Sequence, residues 1–109
     1  MAAPSLHLTK IGSGDFLLEP SKSLNIQEQS NHIEYVTARL LQARASRLYY
    51  DLSSLALIDP LYYSWLDALA RAAQTVNVKM ICVNMQPTAA FALSKFILKK
   101  PVFETALNI

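Results

Sequence analysis

Six residues near the middle of the second half constrain this chain most: Val78-Lys79-Met80-Ile81-Cys82-Val83, an apolar run broken only by Lys79. The run is far shorter than the roughly 20 residues that span a bilayer, and it does not alternate as a half-exposed strand would. It reads as a strand buried on both faces, which is the habit of parallel sheets. A parallel sheet needs helices between its strands, so the rest of the chain is expected to alternate strand and helix, with right-handed crossovers.

The flanking sequence meets that demand. Leu6 to Ile11 alternates apolar and polar residues, Gly12-Ser13-Gly14-Asp15 supplies a turn, and Phe16-Leu17-Leu18 reads as a second strand, giving a hairpin. After a loop from Pro20 to Ser23, Asn25 stands three residues before Glu28, close to a capping box. The helix it opens runs to about Ala45, with Ile26, Ile33, Val36, Leu40 and Leu41 on its inner face. Leu48-Tyr49-Tyr50-Asp51-Leu52 is the third strand.

Asp59 followed by Pro60 marks the next helix start: a carboxylate at the cap, then proline where no N–H is needed. Tyr62, Trp65, Leu66, Leu69, Ala72, Ala73 and Val76 share one broad face, and Asp67 and Arg71 are spaced for an ion pair on the other. Beyond Val83, Asn84-Met85-Gln86-Pro87 turns the chain into a third helix. Its inward residues are Ala90, Phe91, Ile97 and Leu98, and Lys100-Pro101 ends it. Val102-Phe103 reads as a short last strand and Glu104 onward as a final turn of helix. The order is β-β-α-β-α-β-α, an α/β fold with a mostly parallel sheet of 4–5 strands, and residues 1–109 form one domain.

The chemistry of enzymes is thin here. His7 and His32 lie far apart, and neither has Cys, Asp or Glu at metal-ligand spacing. Both glycines are spent in the first turn, so no phosphate-binding loop is available, and no serine sits in a G-x-S-x-G elbow. No cofactor, metal or catalytic group is expected. Lys95, Lys99 and Lys100 form the one basic cluster and read as a solvated helix end, which does not make a nucleic-acid site. Cys82 reads as a buried hydrophobe. Met1 to Ser5 lacks the basic and apolar regions of a signal peptide, so a cytoplasmic location is expected.

Aromatic residues point instead to protein binding. Tyr62 and Tyr63 open the second helix with Trp65 behind them, and two readings stand open: one tyrosine faces outward as an interface residue, or both are half-buried. Asp59 is a helix cap first and a contact second.

The stretch from Leu48 to Asp59, Leu-Tyr-Tyr-Asp-Leu-Ser-Ser-Leu-Ala-Leu-Ile-Asp, resembles the centre of STAS domains, the family of anti-sigma-factor antagonists and sulfate-transporter tails. Val78 to Asn84 is similar to that family's next strand. Met85-Gln86-Pro87-Thr88-Ala89-Ala90 looks like the x-Arg-Pro-x-x-Ala turn of stressosome-type members, with Gln86 in the arginine's place. The likeness covers roughly residues 15 to 105.

That resemblance implies a STAS-like fold and a non-catalytic signalling module. Its partner surface would centre on Asp59, Pro60, Leu61, Tyr62 and Tyr63, with Ser53, Ser54, Gln86 and Thr88 at the rim. The implied partners are a Ser/Thr-kinase-like anti-sigma factor or other STAS proteins, with homodimers also open. Small STAS subunits that bind the ATPase of a lipid-transporting ABC complex are the alternative, and a small-ligand sensor is a further one. In the family a phosphorylatable Ser or Thr follows the aspartate; here Pro60 and Leu61 stand there, and Ala92 falls near a second such position. The switch is therefore expected to be missing.

Overall fold

The structure, a computed structural model, describes residues 6–22, 24–97 and 99–109. The readings placed on Met1 to Ser5, Ser23 and Leu98 lie outside the described residues. Strands β1 (Leu6–Lys10) and β2 (Asp15–Pro20) pair antiparallel, with Leu8 opposite Leu18. Gly14 makes their turn possible: its φ of 91° is one that L side chains rarely adopt. Its carbonyl then accepts from Ser46 N–H at 2.7 Å and Arg47 N–H at 3.1 Å, fastening the hairpin to the start of β3 (Arg47–Asp51).

Between them runs α1 (Gln29–Gln42), preceded by a 3-10 turn, Ile26–Glu28. Asn25 caps that turn, its Oδ1 accepting from Gln27 N–H at 3.0 Å. The buried face of α1 is His32, Val36 and Leu40. Leu41, expected inward, is 62% exposed, because the spacing that starts at His32 leaves it a hundred degrees off the inner line. The helix also stops short of Ala45. Arg44 takes a left-handed φ of 54°, and Ala45 N–H returns to Leu40 C=O at 2.9 Å. The same device ends α2 (Pro60–Thr75): Asn77 has φ 61°, and Val78 N–H reaches Ala73 C=O at 2.9 Å. The inner face of α2 is Trp65, Leu66, Leu69, Ala70 and Ala73.

Strand β4 (Lys79–Val83) follows, then α3 (Pro87–Ser94) and β5 (Glu104–Ala106). The strand order is β1-β2-β3-β4-β5, and every pairing after the first is parallel. Each parallel step moves the same way across the sheet, so right-handed crossovers lay all the helices on one face. Burial agrees. Phe16 and Leu18, Leu48 and Tyr50, and Met80 and Cys82 all lie in the core on that face.

On the opposite face Leu17, Tyr49 and Ile81 stand side by side and only half-buried. They run beside two ion pairs, Asp15–Arg47 and Lys79–Glu104, both at 3.1 Å. The expectation that the Val78–Val83 strand is covered on both faces is thus corrected in part: the sheet is mostly parallel and helices cover one side, so Lys79 is exposed and Ile81 half-buried on the other, while Val83 there is buried.

Two further corrections concern the end of the chain. In α3 the buried residues are Ala89 and Leu93, whereas Ala90 is exposed and Phe91 is 66% exposed. The helix ends at Ser94 instead of reaching Lys100. Glu104–Ala106, expected as a helical turn, is an edge strand beside Ile81–Val83, because the free edge of β4 offers it a ladder of hydrogen bonds. Val102 and Phe103 precede that strand, with Phe103 buried.

Candidate functional site

The first turn of α2 stands where β3 delivers the chain to the helical layer. Asp59 is extended at φ −88° and ψ 171°, and its Oδ1 accepts from Tyr62 N–H at 2.8 Å, while its carbonyl accepts from Tyr63 N–H at 2.9 Å. With Pro60 at the first helical position, the turn is fixed from both sides. Leu61 then has nowhere inward to go and remains 59% exposed.

Both tyrosines are half-buried. The Tyr62 hydroxyl lies 2.6 Å from that of Tyr50, which also accepts from Trp65 Nε1–H at 2.8 Å. Burial pushes Tyr62 up to about 12, and burial together with the neighbouring Tyr62 raises Tyr50 well above its ordinary value. Both phenols are therefore neutral hydrogen-bonding groups at physiological pH. Tyr63 stacks edge-on to Phe96 at 5.6 Å and to Phe103 at 6.0 Å. Burial and the nearby Asp67 carboxylate raise its hydroxyl too.

The rim residues hold two loops together. Gln86 Nε2 donates to Ser53 C=O at 2.7 Å, and Thr88 Oγ1 donates to Ala56 C=O at 2.5 Å. Asp51 closes the base of this loop, its Oδ1 accepting from Ser53 N–H at 2.9 Å and Asn84 Nδ2 at 3.2 Å. Burial works to raise the Asp51 carboxyl, but those hydrogen bonds outweigh it and leave it below the ordinary carboxylate value. Ser53 and Ser54 are exposed, and Ser64 Oγ donates back to Pro60 C=O at 3.1 Å.

Several exposed apolar side chains lie on or next to these braced loops: Leu57 at 65%, Leu61 at 59% and Phe91 at 66%. Leu57 and Phe91 were not singled out by sequence. Leu57 had a signal, an apolar residue in a connection that runs over the surface. Phe91 had a misleading one, since the sequence reading set it inward with Ala90 in an apolar stretch.

The start of α2 is a surface, and the neighbouring cavity, about 620 Å³ between α3 and β5, is lined mostly by apolar residues such as Met85, Leu93, Ile97 and Leu107. Ligand crevices in open α/β sheets form where the strand order reverses, and this order runs from β1 to β5 without reversal. Among the described residues no group of three or more His, Cys, Asp or Glu is placed to hold a metal ion. Also among them, no helix is long and apolar enough to cross a membrane.

This architecture defines a class: the chain has the fold of STAS-domain proteins, as its central motif led one to expect. It is similar to RsbS of Moorella thermoacetica in a Ser-to-Glu form, with a TM-score of 0.74 and 19% identity over 95% of this chain and 87% of that one. The protein TM1081 gives 0.74 and 17% over 99% and 91%. A chain from the molecular architecture of the stressosome, described as a signal integration and transduction hub, gives 0.78 and 19% over 94% and 89%. No protein-family model and no curated protein sequence matches.

Proposed function

We propose that this chain is a non-catalytic protein-binding module of bacterial signalling, working in the cytoplasm like an anti-sigma-factor antagonist or stressosome subunit without the phosphorylation switch. The observation that carries the reading is the apolar exposure at the start of α2. Leu61 is 59% exposed on a turn held by a proline, a capping carboxylate and the hydrogen bond of half-buried Tyr62 to buried Tyr50. A rigid turn that presents an apolar side chain loses little entropy on binding, which favours recognition. Asp59, Pro60, Leu61, Tyr62 and Tyr63 form the centre of the surface, with Leu61 as its anchor. Ser53, Ser54, Gln86 and Thr88 lie at its edge, where the last two keep the loops in register.

The missing hydroxyl supports constitutive binding. Phosphate adds roughly −1.5 to −2 charge and disrupts an apolar interface where it lands, and Pro60 and Leu61 offer no acceptor for it. The test is affinity capture from native bacterial lysate with the parent and Leu61→Asp proteins side by side. A protein held by the parent and lost by the variant is expected, either a kinase-like anti-sigma factor or another STAS protein. A transporter ATPase held in the same way would move the function to membrane traffic. Identical captures would place the interface elsewhere. Incubation with a captured kinase and ATP should leave residues 53–64 free of phosphate.

A further inference from the structure

Lys95, Lys99 and Lys100 read from the sequence as the solvated end of a helix; Lys95 is that end, the exposed C-cap of α3, while Lys99 and Lys100 lie beyond it. The helix α3 stops at Ser94. Its last turn closes with Ile97 N–H on Leu93 C=O at 3.2 Å, and Lys99 and Lys100 stand beside Tyr63, Asp67 and Arg71 of α2. Between this segment and α2 lies a groove of about 360 Å³. Tyr63, Phe96 and Ile97 form its apolar wall; Asp67, Arg71, Lys99 and Lys100 form its charged rim.

The charge on that rim is one-sided. Asp67 is committed to Arg71 at 2.9 Å, so those two cancel. Lys99 and Lys100 have no ion pair among the described residues, and neither has Lys95, whose ammonium sits 4.6 Å from the Phe91 ring. Of the three, Lys99 and Lys100 stand on the groove beside an aromatic pair, Tyr63 and Phe96, in edge contact at 5.6 Å, while Lys95 lies over Phe91.

We propose that this groove receives an acidic peptide segment of a partner protein, with carboxylates on Lys99 and Lys100 and an apolar side chain against Tyr63 and Phe96. The inference rests on the protein-binding reading and adds the chemistry of the partner. Charge complementarity selects the occupant. Nucleic acid is held by basic stripes that track a phosphate backbone, and this rim is short and carries the Asp67 carboxylate. Anionic membranes are held by clusters of about four to eight Lys or Arg, and the nearby exposed aromatic, Phe91, has an ammonium over its ring. An acidic peptide with one apolar residue satisfies the lysines and the aromatic wall together.

The experiment uses the whole chain and a short fluorescein-labelled peptide of glutamates around a single phenylalanine, read by anisotropy at low and high salt. Amide shifts of the labelled protein map the contact. Binding is expected to weaken with salt, to shift Tyr63, Phe96 and Lys99, and to weaken when the peptide's phenylalanine is replaced by alanine. The Lys99→Glu/Lys100→Glu protein should bind about tenfold more weakly, the scale expected for two exposed charge reversals, with its melting temperature unchanged. Leu61→Asp should leave this binding intact, so failure here and failure of the α2 surface are told apart. The proposal is overturned if the double variant binds like the parent, or if shifts lie elsewhere. It is also overturned if a lysine-for-glutamate peptide binds equally, or if a single-stranded oligonucleotide or phosphatidylserine vesicles compete more tightly for the same lysines.

Discussion

Tyr50→Phe tests the link between the buried core and the surface turn. One oxygen is removed from a chain of three groups: Trp65 Nε1–H donates to Tyr50 at 2.8 Å, and the Tyr50 and Tyr62 hydroxyls lie 2.6 Å apart. Tyr50 and Trp65 are both 0% exposed, so water cannot replace the lost acceptor. An orphaned buried donor costs about 1–3 kcal/mol, whereas half-buried Tyr62 can turn to solvent. The expected loss is about 2 kcal/mol, or roughly 10 °C in melting temperature for a domain of this size. Tyr62→Phe should cost about 1 kcal/mol, since the indole keeps its acceptor. The double variant should cost little more than Tyr50→Phe alone, a coupling of about 1 kcal/mol. Urea unfolding followed by fluorescence suits the measurement, because Trp65 is the chain's single tryptophan and sits at the cluster. A Tyr50→Phe protein within about 0.5 kcal/mol of the parent, or strict additivity, would refute the reasoning.

Three other outcomes are expected. Asp59→Ala should lose about 1 kcal/mol and Asp59→Asn much less, because both Asp and Asn accept from the Tyr62 N–H; urea midpoints decide this, and equal losses would deny the cap. Cys82 should resist a thiol-reactive dye at neutral pH until urea unfolds the chain, since burial pushes its thiol up, and prompt labelling of the native protein would count against that. Asp51 has a carboxyl below its ordinary value in the fold, so its contribution is complete above the ordinary carboxylate range and is lost as pH falls through the folded value. The stability gap between the parent and Asp51→Asn should be widest at neutral pH and narrow in acid; a gap that widens in acid would reverse the sign.

What the sequence made legible is what local physics dictates. Asp59-Pro60 marked a helix start because a cap and a proline act within three residues, and the structure has Asp59 at the N-cap of α2. The Asp67–Arg71 pair followed from helical spacing alone and is present at 2.9 Å. The end of α3 was illegible because nothing local ends it at Ser94: Lys95 to Lys100 continue acceptably as helix until Pro101. What decides the matter is tertiary. Phe103 must reach the core, at 3% exposure, and β5 must lie along Ile81–Val83, so the chain has to leave the helix early to make the return. The half-exposure of Ile81 on the far face of β4 was equally hidden, since an apolar run records neighbours in the sheet as well as helices above it. The Tyr50–Tyr62–Trp65 cluster did leave a signal: a tryptophan and tyrosines on buried elements need partners for their polar ends.

The direction of the crossovers ties these points to function. A sheet whose strands add in one direction puts its helices on one side and has no reversal of strand order. Every loop at the carboxyl ends of the parallel strands is then free to become surface. Here those loops are not slack: Gln86 holds Ser53, Thr88 holds Ala56, and Asn84 holds Asp51. Replacing Pro60 or Leu61 by serine would restore a hydroxyl at the helix start, yet the same bracing would remain around it. If the turn is the partner surface proposed above, bracing around it and the lack of a hydroxyl at Pro60 and Leu61 suit a constant complex. Regulation would then have to come from the partner's side, or from whatever competes for the lysine-rimmed groove beside α2.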